Sequence, residues 1–276
     1  MTAVSFSVPP GACDCHIHAY DEAYPLAPTA TFKPPYAPMN DYAQVQAALG
    51  LTRVVVVQPT GYGFDNRCTL AAVASLGGRA RGVAMVPVQV SNTELQALHA
   101  ADVRGVRMMM FPGGLLGWDA LAPMADKVRP WGWHLNVQFN GCDFVQRLPL
   151  LQSLNVPLVI DHTGKFLVPP AGTNDPAFQA LCRLLDMGRV WVKLSAPYET
   201  SRQGAPHYDD VGLLARYLAT HYPERCLWAS NWPHPNQDPV PSNAALLNLL
   251  PQWVARHADL QRILVDNPAQ LYGFDT

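Results

Sequence analysis

The feature that most constrains this chain is a recurrence. Eight short apolar runs alternate with longer helical patterns along its whole length. The runs are Ala12–His16, Arg53–Gln58, Gly82–Val86, Gly105–Met109, His134–Gln138, Leu158–Asp161, Val190–Leu194 and Cys226–Ser230. Several are nearly continuous in Val, Ile, Leu or Met, the pattern of parallel strands covered on both faces. Helix signals stand between them. Asn40 or Asp41 can cap a helix that stops at Gly50, and Ser91-Asn92-Thr93-Glu94 reads as a capping box ahead of Leu95 and Leu98. Asp175-Pro176 sets a cap before a proline at the first helical position. Ser242 opens a helical stretch, Ala244–Ala255, interrupted by Pro251, and Asp266–Phe274 reads as a short terminal helix and tail.

Eight strand–helix units make a parallel sheet that can close on itself, so the expected fold is α/β, a (β/α)8 TIM barrel in a single domain spanning residues 1–276. An open doubly wound sheet is the alternative. It would normally carry a Gly-rich turn after its first strand, where this chain has Asp-Cys-His-Ile-His. Apolar residues make up 49% and charged residues 14%, which favours a packed core over a disordered chain. The formal net charge is −2 with scattered basic residues, so no nucleic-acid partner is expected. No apolar run approaches the ~20 residues of a membrane span, and residues 1–10 lack a charged-then-apolar leader. No membrane partner and a cytoplasmic location are therefore expected. The six cysteines form no C-x-x-C pair and read as reduced core thiols. The proline-rich segment Tyr24–Pro38 reads as a stiffened loop over the barrel mouth, or else as a surface wrap.

Three stretches carry candidate chemistry. Asp14-Cys15-His16-Ile17-His18 ends the first run with two histidines two residues apart, a spacing that turns both to one side of a strand. A lone histidine is usually a satisfied core or surface residue; a pair here points to a site. The sixth run breaks off in Asp161-His162, either a loop cap or a second imidazole aimed at the same mouth. The eighth ends Ser230-Asn231-Trp232-Pro233-His234.

With His-x-His on strand one, Asp-His-x-Gly on strand six and Ser-Asn-Trp-Pro-His after strand eight, the chain resembles the amidohydrolase-2 group of the amidohydrolase superfamily over nearly its whole length. Gln58 with Asp65-Asn66, Gly105-Val106-Arg107, Phe111-Pro112-Gly113-Gly114, Asp161–Phe166 and Tyr198–Arg202 resemble the branch of 2-pyrone-4,6-dicarboxylate lactonases and galactarolactone isomerases. One position departs from the hydrolases. Their strand-eight aspartate, which takes a proton from water, is Asn231 here, and an amide is not a base at neutral pH.

The resemblance implies a lactone isomerase that interconverts the 1,5- and 1,4-lactones of an aldaric acid by intramolecular acyl transfer. His16, His18 and His162 would stabilise the oxyanion, and Asn231 would hold the migrating hydroxyl. The alternatives are a metal-independent hydrolase of the 2-pyrone-4,6-dicarboxylate lactonase type and a binding protein without turnover. Such a hydrolase would use His234 or an unrecognised carboxylate as base, or would place Asn231 where the natural residue is an aspartate. Zinc sites of the superfamily draw on the strand-eight aspartate, so no metal cofactor is expected; the alternative is one zinc on His16, His18 and His162. The expected partner is a small acidic lactone, with a homo-oligomer left open. Arg107 and Arg202 are expected to clamp its carboxylate. Lys165, Gln58, Gln138 and Tyr198 would contact it, and His234 would support the site. Lys193, costly inside a barrel unless paired, is expected to meet Asp14 or Asp161.

Overall fold

The computed structural model describes residues 2–275. Eight parallel strands pair in sequence order: β1 (Cys13–Ile17), β2 (Arg53–Val57), β3 (Ala80–Ala84), β4 (Val103–Met109), β5 (His134–Gln138), β6 (Leu158–Ile160), β7 (Val190–Ser195) and β8 (Cys226–Ala229). Beyond β8 the chain bonds back to β1, through Asn231 N to the His16 carbonyl at 3.0 Å and His18 N to the Trp232 carbonyl at 2.8 Å. The result is the (β/α)8 TIM barrel. The two closing bonds also set Asn231 beside the β1 histidines.

The connecting helices are α1 (Met39–Leu49), α2 (Arg67–Leu76), α3 (Asn92–Ala100), α4 (Leu121–Val128), α5 (Phe144–Ser153), α6 (Pro176–Leu185) and α7 (Asp209–His221). After β8 come α8 (Asn243–Leu247), α9 (Leu250–Trp253), α10 (His257–Gln261) and α11 (Asn267–Tyr272). Outward residues such as Val106, Leu135 and Leu158 pack against Leu121, Leu181 and Leu214 from the helices. Each fully buried side chain of this kind stabilises the fold by roughly 1.5–3 kcal/mol.

Local details differ from the sequence reading. β3 begins at Ala80 rather than Gly82, because Arg81 is buried and its guanidinium reaches the carbonyls of Tyr272 (3.2 Å) and Gly273 (2.7 Å). Neither Asn40 nor Asp41 caps α1; Pro38 holds the cap position in extended backbone, and Asp41 lies in the first turn, where its charge complements the helix dipole. Ser91 Oγ does accept from Glu94 N (3.1 Å), and Asp175 Oδ1 from Ala177 N (2.8 Å). The stretch after Ser242 forms two short helices, and Pro251 lies in the first turn of the second. The terminal helix is preceded by a π-helical turn, Arg262–Asp266.

Tyr272 and Phe274 pack beneath Cys15, Val57 and Val159, so the terminal segment plugs the end where the strands begin. The opposite end is open. There Thr31 and Phe32, from the proline-rich segment, line a cavity with His18 and His162, which places that segment over the mouth. All six cysteines are free; Cys142 is exposed rather than a core thiol. Among the described residues no helix is long and apolar enough to cross a membrane.

Candidate active site

β1 is not a regular strand where it matters. Its register with β2 shifts between Asp14 and Ile17. Cys13 and Cys15 pack into the barrel floor, while Asp14 turns to Ser230 (2.9 Å from its N, 2.6 Å from its Oγ) and to the Tyr42 hydroxyl of α1 (3.2 Å). Simple alternation would send His16 the way of Asp14. The irregularity re-aims it inward, and its Nε2 comes within 3.2 Å of His18 Nε2. Burial raises the Asp14 carboxyl to about 6.

Lys193 organises the interior below the mouth. Its ammonium has three protons and three acceptors: Asn136 Oδ1 at 2.5 Å, Asp161 Oδ1 at 3.0 Å and His16 Nδ1 at 3.0 Å. Asn136 Nδ2 donates to the other Asp161 oxygen at 2.7 Å. Burial opposes the Asp161 charge, but the Lys193 ammonium holds its carboxyl well below the usual range. The contacts fix the imidazole tautomers. His16 accepts at Nδ1, so its proton sits on Nε2 and points at His18. His18 Nδ1 donates to the Val57 carbonyl at 2.8 Å, leaving its Nε2 to accept. Burial keeps all three site imidazoles neutral. His18 falls to about 3, with Arg107 as the next cause, and His16 and His162 lie well below their ordinary value.

A cavity of about 340 Å³ opens above this hub. It is lined by His18, His162, Arg107, Gln138, Lys165 and Asn231 of the expected set, and also by Tyr20 and Glu199. His16 is fully buried behind His18 and does not line it. His162 stands at a positive φ of 54° and bonds Ser195 Oγ through Nδ1 at 2.9 Å, which turns Nε2 away from Ser195. Arg107 donates to the Gln58 carbonyl (2.9 Å) and to Gln138 Oε1 (3.1 Å), spending two of its five N–H bonds.

Other expected residues are placed differently. Gln58 is buried; its amide bonds Gly63 O, Asp65 O and Thr69 Oγ1, so it builds the loop that seats Arg107 instead of facing a ligand. Arg202 is exposed and lines a separate groove with Pro169 and Arg216; it is not with the cavity residues. Tyr198 and His234 stand one step back. The Tyr198 hydroxyl is 2.9 Å from His234 Nδ1, and His234 Nε2 is 2.8 Å from Asn243 Oδ1. Both His234 nitrogens are thus engaged, and burial lowers its imidazole to about 4. Of the two partners expected for Lys193, it takes Asp161 and not Asp14.

Glu199 lies in the Tyr198–Arg202 stretch that resembles the family branch, but its place in the site was not read from the sequence. It ends the turn Pro197–Glu199 after β7. Asn231 Nδ2 donates to its Oε1 at 3.0 Å and to the Tyr198 hydroxyl at 2.9 Å. Its other oxygen pairs with the Lys165 ammonium, and both side chains are only 15% exposed. Burial brings Lys165 down to about 8, against the pull of Asp161. The cavity wall thus carries two cations, Arg107 and Lys165, against one carboxylate, a balance that favours an anionic ligand.

Ligand-capable atoms of His16, Asp161 and His162 lie within 4.8 Å of one another. The Lys193 ammonium already sits against two of them, and a dication there would meet a fixed like charge. Zinc on His16, His18 and His162 would need a bare nitrogen from each, whereas His16 Nε2 carries its proton. The strand-eight ligand would be an amide. As arranged, the donor set does not fit a divalent cation.

Comparison with known proteins agrees with this architecture. Residues 13–274 match the Amidohydrolase family (amidohydrolase-2 group). The chain is 35% identical to a D-galactarolactone isomerase of Agrobacterium fabrum, over 98% of this chain and 94% of that protein. It is 36% identical to a 2-pyrone-4,6-dicarboxylate hydrolase of Comamonas testosteroni, over 97% and 92%. It superposes on the apo crystal structure of Agrobacterium tumefaciens ATU3138 with a TM-score of 0.94 at 34% identity, over 99% of both chains. The chain therefore belongs to the amidohydrolase-2 family of the amidohydrolase superfamily.

Proposed function

We propose that this protein is an enzyme acting on acidic lactones, and that it isomerises them: it interconverts the six-membered 1,5-lactone and the five-membered 1,4-lactone of an aldaric acid of the galactarolactone kind. The observation that carries this reading is Asn231. It lines the cavity where the hydrolases that this chain resembles carry a carboxylate, and its Nδ2 is spent on Tyr198 and Glu199. Asn231 itself offers water no base. A hydroxyl of the lactone itself needs less activation, because its effective concentration beside the carbonyl is worth up to ~7–11 kcal/mol. Two relatives are named for lactones, the D-galactarolactone isomerase and a 4-sulfomuconolactone hydrolase of Rhizobium radiobacter.

Arg107 binds the free carboxylate of the lactone, with Gln138 beside it. His162, its Nδ1 held by Ser195, turns an Nε2–H toward the carbonyl oxygen and stabilises the developing oxyanion. Lys193 fixes His16, and His16, buried behind the cavity, fixes His18, so that only the neutral His18 ring of β1 faces the ligand. The reading is metal-independent, because Lys193 supplies the positive charge beside Asp161 and Asn231 replaces an anionic ligand. Hydrolysis is the second reading, favoured by the Glu199 carboxylate in the same cavity.

One experiment separates them. Galactarolactones incubated with the protein in chelator-treated buffer are followed by NMR and by pH-stat titration. Ring-shift product without acid release is the expected result. Stoichiometric acid release with no isomeric lactone would replace the first reading by the second.

A further inference from the structure

Ring migration has a proton requirement that the residues assigned so far do not meet. The attacking hydroxyl must lose a proton as its oxygen bonds the acyl carbon, and the departing ring oxygen must gain one. Asn231 can do neither. The His18 nitrogens are both engaged, by His16 and by the Val57 carbonyl. Tyr20 lines the cavity, but burial holds its phenol far above neutral pH. Arg107 does not release a proton.

We infer that Lys165 and Glu199 are the proton-transfer couple of this site, a catalytic role that rests on the isomerase reading above. They reach the cavity from different strand ends, Lys165 from the turn after β6 and Glu199 from the turn after β7. They are ion-paired there, and Asn231 Nδ2 orients Glu199 Oε1 from 3.0 Å. The Phe111 ring lies 5.6 Å from the Lys165 nitrogen.

The step balances. The migrating hydroxyl gives its proton to the Glu199 carboxylate while its oxygen bonds the acyl carbon. The bond from that carbon to the old ring oxygen then breaks, and the Lys165 ammonium protonates the leaving alkoxide. Glu199 now holds a proton that Lys165 has lost, and transfer across the ion pair restores both. In the reverse direction the same groups serve the other oxygen. The charged and titratable groups facing Lys165 are Glu199, Asp161, Arg107 and His162. Its amine at about 8 makes the ammonium a competent acid near neutral pH.

The test compares wild type, Glu199→Gln, Glu199→Asp and Lys165→Arg by NMR-monitored isomerisation across pH, with lactone binding followed by calorimetry. Lys165→Arg keeps the ion pair but cannot give up a proton. Both Glu199→Gln and Lys165→Arg are expected to lose kcat by ~10²–10³-fold with KM within about threefold of wild type, the scale of general acid–base catalysis. Glu199→Asp should recover part of that loss. The basic limb of the wild-type kcat profile should lie near pH 8 and be absent in Lys165→Arg. A Glu199→Gln or Lys165→Arg protein that retains wild-type kcat, or that loses activity through KM alone, overturns the couple while the isomerase reading stands. A folded wild type that shifts no lactone ring overturns both, and does so before any variant is made.

Discussion

Asn231 shows how much one side chain decides. Its Nδ2 lies 3.0 Å from Glu199 Oε1, so replacing the amide by a carboxylate sets two acids in contact. Like charges at that distance cannot both ionise freely, and one pKa rises. Asn231→Asp is therefore expected to lower the isomerisation kcat by ~10–10²-fold, because it draws Glu199 away from the migrating hydroxyl. It should also gain acid release that increases with pH as the shared proton leaves. The pH-stat trace of the variant reads this directly, and unchanged isomerisation without acid release would contradict it. At this scale the sequence was partly legible. His16, His18 and His162 stood out because apolar strands end abruptly in imidazole. Glu199 did not, since a lone acid in a Pro-Tyr-Glu-Thr turn looks like any surface residue until Lys165 and Asn231 are seen around it. Arg202 shows the converse: three residues of turn beyond Glu199 carry it out of the cavity, and no residue pattern states which way a loop points.

The strands were the legible elements, because a parallel strand covered on both faces must be apolar throughout. Their irregularities were not. The buried Arg81 hid the start of β3, and the register shift in β1 that turns His16 inward leaves no trace in residue type. A tight contact between β4 and β5 was hidden in the same way. A Cβ built on Gly105 would lie 2.4 Å from the His134 imidazole, so this glycine is required by the close approach of that ring. His134 in turn packs edge-on against Tyr272 at 5.3 Å, which blocks retreat in that direction. Gly105→Ala should destabilise the fold by about 3 kcal/mol, the cost of overpacking a dense interior. Gly78→Ala, where an added Cβ meets nothing within 4 Å, should change stability by less than ~0.5 kcal/mol. Denaturant unfolding of the two variants side by side measures the difference; equal midpoints would mean that the His134 ring yields.

For the whole molecule, the buried imidazoles set the response to acid. Burial lowers His18 and His134 to about 3 and His234 to about 4, and holds His16 and His162 well below their ordinary value. The unfolded chain binds these protons near pH 6.5, while the folded protein refuses them. Stability is therefore fully present above about 6.5 and is lost as pH falls toward 3, by ~1.4 kcal/mol per pH unit for each such histidine. Asp14, raised to about 6, has the opposite sign between its unfolded value and 6, but it is one group against five. Unfolding free energy measured in denaturant should drop steeply from pH 6.5 to 5. His134→Phe removes one of the five and leaves the cavity lining intact, since His134 is not among the residues that line it. Its curve should fall less steeply by about one proton, or ~1.4 kcal/mol per pH unit. A parallel curve would show that His134 is not held neutral by the fold, and a wild-type stability that stays level from pH 6.5 to 5 would show the same of the whole set.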